Sequence, residues 1–396
     1  MRFEELETPC YIINDAEYER NITRFKAAFD ARWGGNTVYG YSVKTNNFPY
    51  MLKTALKHGF FAEVVSPDEY AFALRCGASP SKIIYNGPQK RTTLIPACLD
   101  GATVNIDNLD ELNLLCAHLR GAGDGITVGL RVNYDIEREC PGETTCRGVP
   151  GRFGISLENG DFERALAILR ENGIALSGIH LHQSSSSRSL GIYKSIAKKA
   201  VELGRRFDLR DIKYVDIGGG FFGGSFFPGK PDFEQYAETV CTALRDFYVP
   251  KKTTLVLEPG AAILATSMDY LTSVLNIRDI RGHRVVTVDG SVVHINPFMN
   301  PHPTPFTMLN PGDASDLEQI IGGSTCMELD RFYPRDMKNL AGHDTQFLFH
   351  CCGAYMSTHN SSFINAAPNI YLSRDGEYTL LRRKSIDGLF PEESEI

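Results

Sequence analysis

This sequence predicts an α/β protein, a closed (β/α)8 TIM-like barrel joined to a C-terminal β domain. Three observations carry that expectation. Eight short strand-like runs alternate with helical patterns or helix-length gaps up to about residue 258. Residues with reactive or charged side chains stand at the ends of those runs. After about residue 265 the texture changes to strands separated by turns rich in Pro, Gly and Asn. Strands alternating with helices argue for a parallel sheet with crossover helices, and eight of them argue for closure.

Thr8-Pro9-Cys10-Tyr11-Ile12-Ile13-Asn14 reads as a leading strand, followed by a helix that Asp15 caps and that runs to about Phe29, with Tyr18, Ile22, Phe25 and Phe29 as its apolar positions. The barrel runs are Tyr39 to Lys44, Ala62 to Val65, Lys82 to Tyr85, Thr103 to Ile106, Ile126 to Val132, Gly178 to His182, Lys213 to Ile217 and Thr254 to Glu258. Helical spacing marks Pro67 to Cys76, Leu109 to Leu119, Asp161 to Asn172, Leu190 to Phe207 and Asp232 to Tyr248. Beyond the barrel, Val285 to Asp289, Gln346 to His350 and Tyr378 to Arg382 read as strands. The expected division is a barrel over 25–265 and a β-sandwich or β-barrel-like domain from 1–24 and 266–396, with the leading strand joining the latter and a loose acidic tail from Pro391 to Ile396.

Composition narrows the function classes. With 42% hydrophobic and 22% charged residues, a chain of 396 residues can bury a large core. The net charge of -7 and the lack of a basic block argue against nucleic acid and anionic membrane surfaces as partners. No run is long enough to span a bilayer, and the acidic N-terminus lacks the apolar stretch of a signal peptide. The 10 cysteines form no tight framework, Cys140 and Cys146 have no answering pair, and Cys351-Cys352 read as buried thiols. A reducing, cytoplasmic setting and no bound metal are therefore expected.

Four stretches carry chemistry. Tyr41-Ser42-Val43-Lys44-Thr45-Asn46 ends a strand on a lysine. Such a lysine ordinarily snorkels to water or pairs with an acid; the sharper alternative is a Schiff-base lysine. In Asp216-Ile217-Gly218-Gly219-Gly220-Phe221-Phe222-Gly223-Gly224, three glycines after a strand let backbone N–H groups converge on an anion, where the plain reading is a tight turn. The pattern is neither the spaced dinucleotide fingerprint nor a P-loop. His180-Leu181-His182-Gln183-Ser184-Ser185 offers two histidines on one strand face without an acidic partner nearby, and hydroxyls suited to a phosphate. Glu258, before Pro259-Gly260, ends a very apolar strand and needs a cation, either a structural salt-bridge partner or a protonated ring nitrogen.

Together these stretches resemble the fold type III decarboxylases that use pyridoxal 5'-phosphate (PLP), the diaminopimelate, ornithine and arginine decarboxylase group. The resemblance extends from Thr8-Pro9 to about Pro368. It implies that Lys44 holds PLP, that His182 stacks on its ring, and that Ser185, Gly218, Gly219, Gly220 and Gly260 surround its phosphate. It further implies that Glu258 pairs with the pyridine nitrogen and that Tyr355, in Gly353-Ala354-Tyr355, lies beside the cofactor. Cys326 and Asp330 match Gly-x-x-Cys-x-x-x-Asp, which in this family crosses a dimer interface; a cytoplasmic homodimer with shared sites follows, with Cys326 as general acid.

Departures from the family pattern concern the substrate. Ala261 stands where the diaminopimelate enzymes have a carboxylate-holding arginine, and Asn296 to Asn300 replace their Arg-Pro segment. Met327 stands where an acid meets the distal amine in ornithine enzymes, leaving Glu328 or Asp330 as substitutes. Ala261, Asn296, Asn300, Met327 and Asp330 are thus the candidate substrate-side residues. They suggest a specialised member acting on an amino acid, free or linked to a carrier, with a neutral or extended distal part. A racemase or epimerase on the same barrel, and a non-catalytic PLP-binding regulator, are the alternatives.

Overall fold

The computed structural model describes residues 1–121, 125–146, 149–223, 229–356, 358–359 and 362–387. Gly224, the last glycine of the run after Asp216, and the acidic tail from Pro391 lie outside them. The chain divides into two compact units, one running from Ile22 to Ala262 and the other comprising Met1–Asn21 with the chain from Ile263 onward.

The chain opens with β1 (Cys10–Asn14) and α1 (Asp15–Trp33). The barrel strands follow as β2 (Thr37–Ser42), β3 (Phe61–Val64), β4 (Ile83–Tyr85), β5 (Thr103–Ile106) and β6 (Thr127–Asn133). After the short β7 (Ile155–Ser156), which pairs only with β6, come β8 (Gly178–His180), β9 (Tyr214–Asp216) and β10 (Thr254–Leu257). All these pairings are parallel, and β10 pairs back onto β2 (Val256 opposite Val38), so eight strands close into a barrel. All eight expected runs are strands of it.

The helices start where the sequence puts their caps. The Ser66 hydroxyl accepts the Glu69 N–H at the start of the helix Pro67–Arg75. Asn108 caps Leu109–Leu119, Ser189 caps Leu190–Arg206, and Asp232 and Gln235 form a reciprocal box at Phe233–Leu244. The helices Pro49–Lys57 and Leu94–Leu99 fill what the sequence left as helix-length gaps. Under the glycine run, Phe221 is fully buried and stacks on Tyr193 at 4.5 Å between centroids, while the Tyr193 hydroxyl donates to the Gly219 carbonyl at 3.0 Å. Aromatic packing therefore holds the loop that follows β9.

A buried ion pair braces the loop after β4. Lys90 is fully buried and donates to Glu111 Oε2 at 2.9 Å and to the Gly87 carbonyl; the same Glu111 oxygen accepts the Asp107 N–H at 2.9 Å. Removing one partner of such a pair strands a charge in the core, so Lys90→Ala is expected to destabilise the protein by about 3–5 kcal/mol. Chemical denaturation read by far-ultraviolet circular dichroism checks this.

The second unit is a mixed sheet of β1, β11 (Met268–Ile280), β12 (His283–Val288), β13 (Phe306–Leu309), β14 (Gln319–Gly322), β15 (Arg331–Phe332), β16 (Gln346–Phe349), β17 (Asn369–Arg374) and β18 (Glu377–Arg382). β1 lies between antiparallel β11 (Tyr11 opposite Tyr270) and parallel β17 (Tyr11 opposite Ile370). The buried Tyr11 hydroxyl donates to the His294 carbonyl at 2.5 Å, and Tyr270 bonds the His294 ring at 2.6 Å, so polar tips in this core are paired. No helix among the described residues is long and apolar enough to cross a membrane.

Candidate active site

The barrel gathers its polar residues at the C-terminal ends of the strands. Lys44 was expected to end a strand; in fact β2 stops at Ser42 and Lys44 sits in a 3-10 turn, Val43–Thr45. That turn lifts the side chain to 40% exposure, within reach of a bound molecule, while Nζ pairs with Glu63 Oε2 at 2.5 Å. Glu63 itself is buried at the end of β3. Burial pushes its carboxyl up, but the charge and hydrogen bond of Lys44 outweigh this and leave it below the usual carboxylate range.

His182 lies two residues past β8 and faces the glycine run. The Gly219 N–H donates to its Nδ1 at 3.2 Å, which requires a lone pair there and hence a neutral ring. Burial, with Arg131 and Lys44 nearby, accordingly holds the imidazole down at about 3. Gly218 has φ +73°, and a Cβ on it would lie 2.5 Å from His182 Cβ; a Cβ on Gly219 would lie 2.1 Å from the Glu258 carbonyl oxygen. Gly220 faces the Tyr193 hydroxyl, and a Cβ on Gly260 would meet Thr45 Oγ1 at 2.3 Å. The run thus brings the ends of β2, β8, β9 and β10 to backbone distance. Gly219→Ala is expected to weaken cofactor binding at least about tenfold, or about 1.4 kcal/mol, in a titration of cofactor-free protein followed by absorbance.

Ser185, on the same side, accepts the Arg188 N–H at 2.8 Å and bonds Ser187 at 3.3 Å. The loop after β6 is fastened to this serine segment: Glu143 accepts hydrogen bonds from Ser187 and Ser189 at 2.7 and 2.5 Å. Between that loop and residues 182–184 opens a cavity of about 890 Å³, lined among others by Arg131, Tyr134, Glu137, Arg152, Phe153 and His182.

Glu258, one residue past β10, is buried and accepts from Asn86 Nδ2 at 2.5 Å; the same amide nitrogen lies 3.1 Å from Glu63 Oε1. The reading that the two histidines have no acidic partner nearby is corrected here. His180 Nε2 stands 3.7 Å from Glu258 Oε2, and its ligating atoms, those of Asp216 and those of Glu258 lie within 4.8 Å of one another. Nor is His180 a satisfied core histidine, since both its ring nitrogens are buried without a hydrogen-bond partner among the described residues. Sequence reasoning singled out Glu258 but missed that Glu63, Asn86, Asn105, Arg131 and Asp216 converge with it. Their signal was present, a polar residue at or beside the end of each apolar strand, but only barrel closure shows that they face one another.

The remaining candidates lie in the second unit. Cys326 is exposed on the loop after β14. Asp330 is buried, and its carboxylate is taken up by its own surroundings: Oδ1 accepts Val292 N–H at 2.8 Å, while Oδ2 accepts Thr325 N–H and hydroxyl at 3.0 and 2.6 Å. It shapes the Cys326 loop and is not a spare acid for a distal amine; Glu328 points out, 97% exposed. Asn296 closes its own turn, its amide bonding the carbonyl and N–H of Asn300 at 2.6 and 3.4 Å. Met327 is half-buried, Asn300 exposed, and Tyr355 40% exposed with φ +67°. Ala261, back in the barrel unit, opens the short helix Ala261–Leu264.

A family model described as "Pyridoxal-dependent decarboxylase, pyridoxal binding domain" matches residues 16–265. The chain belongs to this family. It is 26% identical over 387 residues to the probable chloroplastic diaminopimelate decarboxylase of Oryza sativa subsp. japonica, covering 95% of this chain and 77% of that protein. It is 28% identical over 306 residues to the diaminopimelate decarboxylase of Archaeoglobus fulgidus, covering 74% and 70%. Among solved structures, the diaminopimelate decarboxylase of M. jannaschii aligns with a TM-score of 0.84 at 21% identity, over 96% of this chain and 91% of that one. The arginine decarboxylase of Paramecium bursaria Chlorella virus aligns at 0.77 and 20% identity, over 94% and 97%. The chain is therefore a PLP-dependent amino-acid decarboxylase of fold type III, and PLP is its cofactor.

The barrel residues fit that group. Four carboxyls (Glu63, Asp107, Asp216 and Glu258) share two cations: Lys44 on Glu63, and Arg131 3.6 Å from Asp107. The floor of the site carries more carboxyls than cations, so a carboxyl there is suited to share a proton with a ring nitrogen. The glycine run admits no side chain at the strand ends; its Gly218 and Gly219 N–H groups go to Asp216 and His182, so a phosphate beside it would draw on Gly220 and the neighbouring serine hydroxyls.

Proposed function

We propose that this decarboxylase removes the α-carboxylate of an amino acid whose distal part is neutral or extended, free or linked to a carrier, and serves a specialised biosynthetic pathway. The observation that carries this reading is the cavity of about 890 Å³ beside His182, near the upper end of the size range for small-molecule sites. Its support is the lack of a charged anchor at the expected positions. Ala261 has no side chain to hold a distal carboxylate, Asn296 is occupied in its own turn, and Asp330 is saturated by its loop.

The roles proposed for the residues follow from their chemistry. PLP, when bound, supplies an electron sink for the pair left behind as CO2 departs. Lys44 would tether the cofactor through its side-chain amine, which the turn Val43–Thr45 holds at the mouth of the barrel. Glu258 keeps the ring nitrogen protonated, His182 lies against the ring face as a neutral imidazole, and the glycines with Ser185 take the phosphate. Cys326 acts as general acid toward Cα from the partner copy of a homodimer. Exposed Phe298, Leu329 and Ile364, at 70%, 71% and 54%, lie on loops of the Cys326 unit and suit such an interface. A racemase reading draws no support from the relatives, which are decarboxylases.

A CO2-release screen over amino acids with neutral, acidic, basic and acylated distal groups tests the substrate class. A neutral or acylated substrate should give the highest kcat/KM. If diaminopimelate proved best, the reading of Ala261 and Asn296 would be wrong.

A further inference from the structure

We propose that Asp216 and Glu258 share one proton in the cofactor-free barrel, and that this stored proton is the one Glu258 hands to an incoming ring nitrogen. The inference rests on the PLP site proposed above and adds Asp216 to it as a positioning residue. Both carboxyls are buried, each with an oxygen within 4.8 Å of the other. Two carboxylates this close in a buried site repel each other, and a proton held between them removes one of the two charges.

The neighbours leave no other way to settle the charge. Asp216 Oδ1 accepts the Gly218 N–H at 2.8 Å, which suits the ionised partner. Asn86 occupies Glu258 Oε1, so the proton falls to Oε2, the oxygen that stands 3.7 Å from His180 Nε2. From β8, His180 does not neutralise the pair: burial, reinforced by Arg131, His182 and Lys44, keeps its imidazole well below the usual histidine range, and His182 is likewise neutral. From β2 and β3, Lys44 is engaged by Glu63, whose negative charge opposes ionisation of the pair. From β6, Arg131 lies beside Asp107 and is shared among all these carboxyls. Lys90 is matched by Glu111. From β5 and β9, Asn105 reaches toward Asp216 Oδ2 at 3.4 Å and takes the Tyr214 hydroxyl at 2.7 Å; both groups are neutral. Burial accordingly holds both carboxyls above the carboxylate range, reinforced at Asp216 by the Glu63 charge and at Glu258 by the charges of Asp216 and Glu63.

In the transfer, the O–H bond at Glu258 Oε2 breaks and an N–H bond to the ring nitrogen forms. No other reactant is consumed, and a buried carboxylate–pyridinium pair replaces a neutral acid. Asp216 then remains as the second negative charge that keeps this proton on the ring.

Infrared spectroscopy with 13C-labelled glutamate tests this without reference to turnover. Cofactor-free protein at pH 7 should show the C=O band of a neutral carboxylic acid that shifts with the label. The band should be lost in Glu258→Gln and in the near-isosteric Asp216→Asn. It should be lost when PLP is added and retained with an analogue carrying carbon in place of the ring nitrogen. A cofactor-free protein without the band, or a band that survives PLP binding, overturns the proposal. If PLP fails to bind at all, the function proposed above falls, while the band in the cofactor-free protein is still judged by itself.

Discussion

Lys44→Ala is expected to abolish the visible absorbance of the cofactor bound to protein and to lower CO2 release by at least about 10³-fold, some 4 kcal/mol of transition-state stabilisation. The lysine has the reach for the role: it is 40% exposed, on a turn that sets it above the strand end. An absorbance spectrum of purified protein and a CO2-trapping assay measure the two effects. Unchanged absorbance would remove Lys44 from the role of tether. The same substitution deprives buried Glu63 of its cation, which carries a pH signature. In the wild type Glu63 is held below its usual range, so its contribution to stability is present above the unfolded carboxylate value of about 4.3 and is lost as pH falls through the lower folded value. Without Lys44, burial is left to raise Glu63. Compared in the cofactor-free proteins, the loss of stability should therefore be small in strong acid, begin to grow as pH rises through the lowered folded value, and keep growing above about 4.3.

Glu258→Gln should retain the cofactor yet lower kcat about 10²–10³-fold, with KM changed by only a few fold. The amide keeps the size of the side chain and an oxygen to accept from Asn86, which now stands at 2.5 Å, but it cannot hold a proton on a ring nitrogen. Steady-state CO2 release together with the cofactor spectrum separates the two effects. A variant that turns over at the wild-type rate would exclude Glu258 as the ring partner.

These residues also mark how far the sequence could be read. Lys44, His182, Gly218 to Gly220 and Glu258 were legible because each stands at the end of a recognisable apolar run, and the period of those runs is local information. The helix starts near Pro67, Leu109, Leu190 and Asp232 were legible from helical spacing, and the structure adds the caps Ser66, Asn108, Ser189 and Asp232. Met268 to Ile280, the longest strand of the second unit, was not read as a strand, because its polar far end carries no clean alternation. It pairs with β12 across a two-residue turn and is ordered further by β1 and β16, from distant parts of the chain. Asp330 shows what a motif leaves out. Its place in the motif suggested a substrate contact, and the fold adds three donors from the backbone and hydroxyl around it that no local pattern announces.

The sequence by itself determined the barrel, the order of its strands and the residues presented at their ends. It also determined the class of chemistry, because the Tyr41-to-Asn46 stretch, the glycine run and Glu258 recur together in one family. Only the tertiary structure decided which groups meet. Barrel closure sets Glu63, Asp216 and Glu258 against one another, with Asn86 between two of them and His180 left neutral beside the third. Charge in such a site is a property of the assembly. A carboxyl holds or releases its proton according to the burial and neighbours that closure imposes, and residues 42 to 195 positions apart along the chain become mutual neighbours only in three dimensions.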